Sequence, residues 1–140
     1  MDQLERRTVL LVDDEPHVVA LVRKMLLRDG YVVVSATDPE EAVQIAQTHQ
    51  GGIDLLLTDI AMPQLNGREL ADRLKAMRCG LRVLYMSGFM KDALLKYYGI
   101  STDGIPFLQK PFTYETLARE VRNILQAPAV EAAGQGGEMR

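Results

Sequence analysis

The chain has 140 residues, 16 basic and 19 acidic side chains, and a formal net charge of −3, which suits one domain and excludes an internal disulfide because Cys79 is the single cysteine. Beside Gly80 at an expected helix end, Cys79 reads as a structural residue, in keeping with a reducing, cytoplasmic setting. Met1 to Arg7 lack the apolar centre of a signal peptide, no apolar run approaches membrane-spanning length and no basic block stands out, so membrane contact and direct nucleic-acid binding are not expected.

Residues 1–7 read as an N-terminal extension, 8–126 as the domain and 127–140, without periodicity, as a disordered tail. Thr8 to Val12 is an apolar strand ending in three acids, Asp13, Asp14 and Glu15. Pro16 then opens a helix with Val18, Leu21, Val22, Met25 and Leu26 at helical spacing, closed by Gly30. Tyr31 to Ala36 is a β-branched second strand. It leads to Asp38 as a cap, Pro39, Glu41 completing a capping box, and a helix with Ala42, Val43, Ile45 and Ala46 inside. Ile53 to Asp59 is a third strand, apolar enough to be buried on both faces, and it stops at the lone carboxylate of Asp59. Asn66 with Glu69 caps a third helix with Leu70, Leu74 and Met77 as its stripe. Leu81 to Ser87 is the fourth strand, and Met90 to Tyr98 a short helix followed by a loop, Gly99 to Gly104, expected to be mobile. Ile105 to Gln109 is the fifth strand. Thr113 opens the last helix, with Leu117, Val121, Ile124 and Leu125 inward.

Five strands alternating with five helices predict an α/β fold of three layers, a flavodoxin-like parallel sheet of order 2-1-3-4-5. Ligands in such sheets bind at the carboxyl ends of the strands, at the switch point between strands one and three. That edge gathers Asp13, Asp14, Asp59, Ser87 and Lys110, each polar at the end of an apolar strand. Three carboxylates in one crevice repel, so either one holds a proton or a divalent cation neutralises them. An all-oxygen set suits Mg²⁺, with Lys110 and Ser87 able to hold phosphoryl oxygens. Taken singly, each residue has an ordinary use as a cap, turn former or solvated charge, as assigned to Asp38 and Asp54. Their coincidence on one edge is what those uses do not explain. Pro111 adds to this, because proline after a strand lysine fixes the lysine's direction, and X-Pro is where a cis peptide bond can arise.

Val12-Asp13-Asp14-Glu15-Pro16, Thr58-Asp59-Ile60-Ala61-Met62-Pro63 with Asn66-Gly67, Met86-Ser87-Gly88 and Lys110-Pro111-Phe112 together resemble the receiver domain of two-component response regulators, over roughly Thr8 to Leu125. The resemblance implies a CheY-like fold in which Asp59 takes a phosphoryl group from the phosphohistidine of a histidine kinase or histidine phosphotransfer protein. It implies Mg²⁺ on Asp14, Asp59 and the Ala61 backbone carbonyl, with Asp13 acting directly or through water. Ser87 and Lys110 would bind the phosphoryl group, and Ser87 with Phe107 would form the switch. Phe107 has no hydroxyl to bond outside, so any outward state rests on packing. Ala61 and Phe89 would line the mouth of the site, both apolar, which predicts slow phosphate loss. Tyr97, Tyr98 and Tyr114 would form an aromatic patch at the partner face. A monomer or a weak phosphorylation-dependent dimer is expected.

The segments Val83 to Phe89 and Pro106 to Phe112 look like receivers at the C-terminus of hybrid histidine kinases. The chain is thus read as a signalling module and not an enzyme acting on a metabolite. A pseudo-receiver that binds partners without phosphorylation is the alternative, disfavoured by the complete residue set. A haloacid-dehalogenase-type phosphatase needs a second acid two residues after its nucleophile, where Ala61 stands. His17 and His49 have no second histidine or cysteine nearby in the sequence and are read as solvated or capping residues.

Overall fold

The computed structural model describes residues 6–127, so residues 1–5 of the expected extension and 128–140 of the expected tail lie outside it. The apolar runs form strands β1 (Thr8–Val12), β2 (Val32–Ala36), β3 (Leu55–Asp59), β4 (Arg82–Ser87) and β5 (Phe107–Gln109). They alternate with helices α1 (Pro16–Arg28), α2 (Pro39–Thr48), α3 (Gly67–Met77), α4 (Lys91–Tyr98) and α5 (Tyr114–Gln126). The sheet is parallel with order β2-β1-β3-β4-β5, the expected flavodoxin-like, CheY-like arrangement. Its central strands are apolar through their middles, Val9 to Val12, Leu55 to Leu57 and Val83 to Met86, because both faces are covered. Leu10, Val12 and Leu56 enter one core with α2, α3 and Leu94 of α4, whereas Val9, Leu11, Leu55 and Leu57 enter the other with α1 and α5.

The helix starts follow the sequence. Asp38 accepts from the Glu41 backbone N–H at 2.8 Å, although the Glu41 carboxylate accepts from Thr37, one residue before the cap. Asn66 and Glu69 make the reciprocal capping box of α3. Asp54 has a structural role: its side chain accepts from the Thr8 N–H at 2.8 Å and ties the foot of β3 to that of β1. Arg78, just past α3, donates to the carbonyls of Ala46, His49 and Gly51 at 3.0, 2.7 and 2.6 Å, closing the C-terminus of α2. Arg7 and Arg82 both donate to the Leu125 carbonyl at the end of α5.

Several inward faces differ from expectation. In α1 the buried set is Val19, Val22 and Leu26, and Leu21 is 56% exposed, because the helix turns about one residue from the register that the apolar spacing favours. In α3 Ala71 is inside beside Leu70 and Leu74, whereas Met77, in the last turn, is 38% exposed. In α5 Ala118 is buried and Ile124 only partly so. Strand β5 starts at Phe107, not Ile105: the carbonyl of Pro106 still accepts from the Tyr85 N–H, but proline has no N–H of its own to give. Cys79, expected to be structural, is a free and exposed thiol just past the end of α3. His17 is exposed on α1, and His49 is the residue that ends α2. In the loop from Gly99 to Gly104, expected to be mobile, Ile100 and Thr102 are buried and Arg68 donates to the Ser101 carbonyl at 2.7 Å.

Candidate functional site

Where β1 ends, successive side chains turn to opposite sides, so Asp13 is fully buried and Asp14 exposed. The Asp13 backbone N–H extends the ladder to the Ala36 carbonyl, and Asp13 Oδ1 accepts from the Glu15 N–H at 2.9 Å. Asp59 ends β3, buried, with the Thr58 hydroxyl donating to its carbonyl at 2.9 Å. The carboxylates of Asp13, Asp14 and Asp59 each offer an oxygen within 4.8 Å of the others.

Lys110 follows β5 and is joined to Pro111 by a cis peptide bond. Its Nζ lies 2.7 Å from Asp13 Oδ2, 3.7 Å from Asp59 Oδ1 and 3.9 Å from Glu15 Oε1. Burial pushes the Asp59 carboxyl up to about 7; Asp13 and Asp14 add to the rise and Lys110 offsets part of it. A free carboxylate would be ionised throughout the neutral range, but this one sits at its midpoint there. Burial by itself lowers the Lys110 ammonium, yet its hydrogen bond to Asp13 and the charges of Asp59, Asp13 and Glu15 outweigh that and leave it raised.

Ser87 ends β4, fully buried. Its carbonyl accepts from the Lys110 N–H at 2.7 Å and from Gln109 Nε2 at 3.2 Å, and its Oγ accepts from the Phe89 N–H at 2.9 Å. Phe89 stacks on Tyr98 with ring centroids 5.1 Å apart. Asp14, Glu15, Asp59, Ala61, Gly88, Phe89 and Lys110 line an open cleft of about 370 Å³. The two apolar residues expected at the mouth are therefore there. Phe107 is half-buried against the core, with Lys91 Nζ 5.6 Å from its ring centroid. Tyr97 and Tyr98 are exposed on α4, but Tyr114 is not with them. The start of α5 packs on the opposite side of the sheet, where Tyr114 lies under the Arg28 guanidinium and donates its hydroxyl to Asp29.

Two features of the site escaped the sequence reading. Glu15 was one of three acids in a row, with nothing to separate it from a solvated charge until Lys110 stood beside it. Gly67 entered only as the partner of Asn66 in the Asn66-Gly67 motif, with no role of its own, yet a Cβ built on it would lie 2.5 Å from the Asp59 carbonyl oxygen and 2.8 Å from Ile60 Cα. Its N–H also donates to the Ile60 carbonyl at 2.8 Å. Glycine is what lets α3 sit on the backbone of the acidic strand end.

The donor set fits a hard divalent cation such as Mg²⁺: three carboxylates converge, one of them exposed to keep water in reach, and no His or Cys joins them among the described residues. The family model for the response regulator receiver domain matches residues 9–122. Among curated proteins, the alkaline phosphatase synthesis transcriptional regulatory protein PhoP of Bacillus subtilis is 30% identical over 96% of this chain and 54% of its own length. The sensor kinase CckA of Brucella abortus is 32% identical over 85% of this chain and 12% of its own length. The chain thus spans about half, or much less, of these relatives. Among solved structures, the receiver domain of the hybrid histidine kinase CckA superposes with a TM-score of 0.70 at 34% identity, over 85% of this chain and 99% of that one. A response regulator receiver protein of Sinorhizobium medicae gives 0.74 at 26%, over 89% and 98%.

Proposed function

Because the chain belongs to the response regulator receiver domains of two-component systems, we propose that it accepts a phosphoryl group on Asp59 from a phosphohistidine and changes its partner-binding face in response. The observation that carries this reading is the meeting of Asp13, Asp14 and Asp59 within 4.8 Å beneath the Lys110 ammonium. Asp14, Asp59 and the Ala61 carbonyl, with Asp13 beside them, are the groups to hold Mg²⁺. Once bound, the cation supplies the positive charge that keeps all three carboxylates ionised and screens the incoming phosphoryl oxygens.

This chain's own residues do the rest. The Asp59 oxygen faces the open cleft as nucleophile, and as an ionised carboxylate it needs no general base. Lys110, anchored by Asp13, presents its charge to the transferred group, and positioning and electrostatics carry such a transfer. Ser87 can give its hydroxyl hydrogen to the new phosphoryl oxygens while its Oγ accepts from Phe89, so a shift of Ser87 pulls on the residue that stacks on α4. Phe107 is the second switch residue of this reading. The donor is a histidine kinase or a histidine phosphotransfer protein, and the likeness to the receiver of a hybrid kinase favours a place in a phosphorelay. We place the domain in the cytoplasm, as a monomer or weak phosphorylation-dependent dimer, without direct contact to nucleic acid or membrane. Among the described residues no helix is long and apolar enough to cross a bilayer.

Incubation with acetyl phosphate and Mg²⁺, followed by intact-mass measurement, tests the reading. One added phosphoryl group that requires Mg²⁺ and is lost in Asp59→Asn is the expected result. No adduct from acetyl phosphate or from any phosphohistidine donor would leave a binding module without phosphorylation.

A further inference from the structure

Lys110 has three carboxylate neighbours, and one of them has no evident part in holding a metal ion. Glu15 Oε1 lies 3.9 Å from Lys110 Nζ, and the Glu15 side chain is 56% exposed at the rim of the cleft. Glu15 is the N-cap residue of α1, yet its side chain makes no capping hydrogen bond, although a carboxylate is well suited to that task. Its backbone does the local work instead: the N–H donates to Asp13, and the carbonyl accepts from Val18 and Val19. The side chain is left turned toward the lysine that is to meet the phosphoryl group.

Resting on the phosphoacceptor reading, we propose that Glu15 is a specificity-determining residue that selects against small, free, doubly charged phosphodonors. It acts in two ways. It adds a negative charge at the rim, on the approach to Asp59, and it competes with the incoming phosphoryl oxygens for the Lys110 ammonium. Both effects grow with the charge of the donor and fade with salt, because Glu15 faces solvent. A phosphohistidine carried on a docked protein is held by contacts elsewhere, and its high effective concentration offsets the repulsion. A free metabolite has no such contacts.

The test compares wild type with Glu15→Gln, using acetyl phosphate, a dianion, and phosphoramidate, which carries a single net negative charge at neutral pH. In both reactions a carboxylate oxygen of Asp59 forms a bond to phosphorus. The bond from phosphorus to the acetyl oxygen breaks, with its electron pair leaving on acetate, or the bond to nitrogen breaks, with ammonia leaving and keeping the protons it already carries. Rates of adduct formation are read by intact mass, at a Mg²⁺ concentration that calorimetry shows to saturate both proteins. Glu15→Gln is expected to raise the acetyl phosphate rate about three- to ten-fold and the phosphoramidate rate clearly less, with the gain shrinking as NaCl rises from low to molar concentration. Glu15→Asp, which keeps the charge, is expected to stay near wild type. Equal acceleration with both donors, a gain insensitive to salt, or no gain at all would overturn the assignment. If neither wild type nor Glu15→Gln takes a phosphoryl group from either small donor or from a phosphohistidine protein, it is the phosphoacceptor reading that fails, so the two failures are distinguishable.

Discussion

Asp59 is held at a cost to the fold. Its folded-state value of about 7 lies above the ordinary carboxylate value of 3.8, so the metal-free folded protein keeps a proton that the unfolded chain releases between about pH 4 and 7. Stability is therefore greatest below that window and falls as pH rises through it. Asp59→Asn removes the penalty. At pH 8 without metal it should be more stable than wild type by about 1–3 kcal/mol in urea unfolding, with the gap closing below about pH 4. A variant less stable than wild type at pH 8 would mean that Asp59 is held by favourable contacts and not strained by burial. Lys110 behaves in the opposite sense. Lys110→Met would leave buried Asp13 without its 2.7 Å partner, and a destabilisation of about 3 kcal/mol is expected from the uncompensated charge.

At the scale of elements, two junctions carry more than their residue types announce. Gly67→Ala in an ordinary helix would gain about 1 kcal/mol from propensity. Here the added methyl meets the Asp59 carbonyl, and overpacking of about 1–3 kcal/mol wins, so a net loss in thermal unfolding is expected, with slower adduct formation at Asp59. Arg78→Ala removes three charged hydrogen bonds from the end of α2 and should cost about 1–3 kcal/mol, whereas Arg119→Ala, on an exposed face, should stay within about 0.5 kcal/mol. The strands, the helices and the caps at Asp38 and Asn66 were legible in the sequence because each rests on local chemistry: apolar runs, prolines at helix starts, and side chains short enough to bond a backbone N–H. What was not legible depends on how neighbouring elements approach. Val19 replaces Leu21 inside α1 and Ala71 replaces Met77 inside α3 through helix rotation and spacing that no single helix encodes. Tyr114 could be placed with Tyr97 and Tyr98 only while the side of the sheet that α5 joins was left out of account.

For the whole molecule, the sheet order brings together at one edge residues that lie far apart in the chain, and that edge was readable because four of the five strands end in residues that break the apolar pattern. Cation binding at that edge should stabilise the folded chain by mass action. Mg²⁺ at about 100 times its dissociation constant is worth about 2.7 kcal/mol, so the melting temperature should rise by several degrees on adding Mg²⁺ and return with a chelator. Asp14→Asn should blunt that rise; a full shift in the variant would exclude Asp14 as a ligand. The seat of Gly67 on the Asp59 carbonyl also bears on how this chain tolerates changes of length. The link from Asp59 to Gly67 is a ruler with a stop at each end, one set by the cleft and the other by a backbone contact that admits no side chain. An insertion or deletion near Gln64 would slide Gly67 off that contact and bring Asn66 or Arg68 into a space that holds neither, whereas an extra residue in the Gly51–Gly52 turn would meet no such stop.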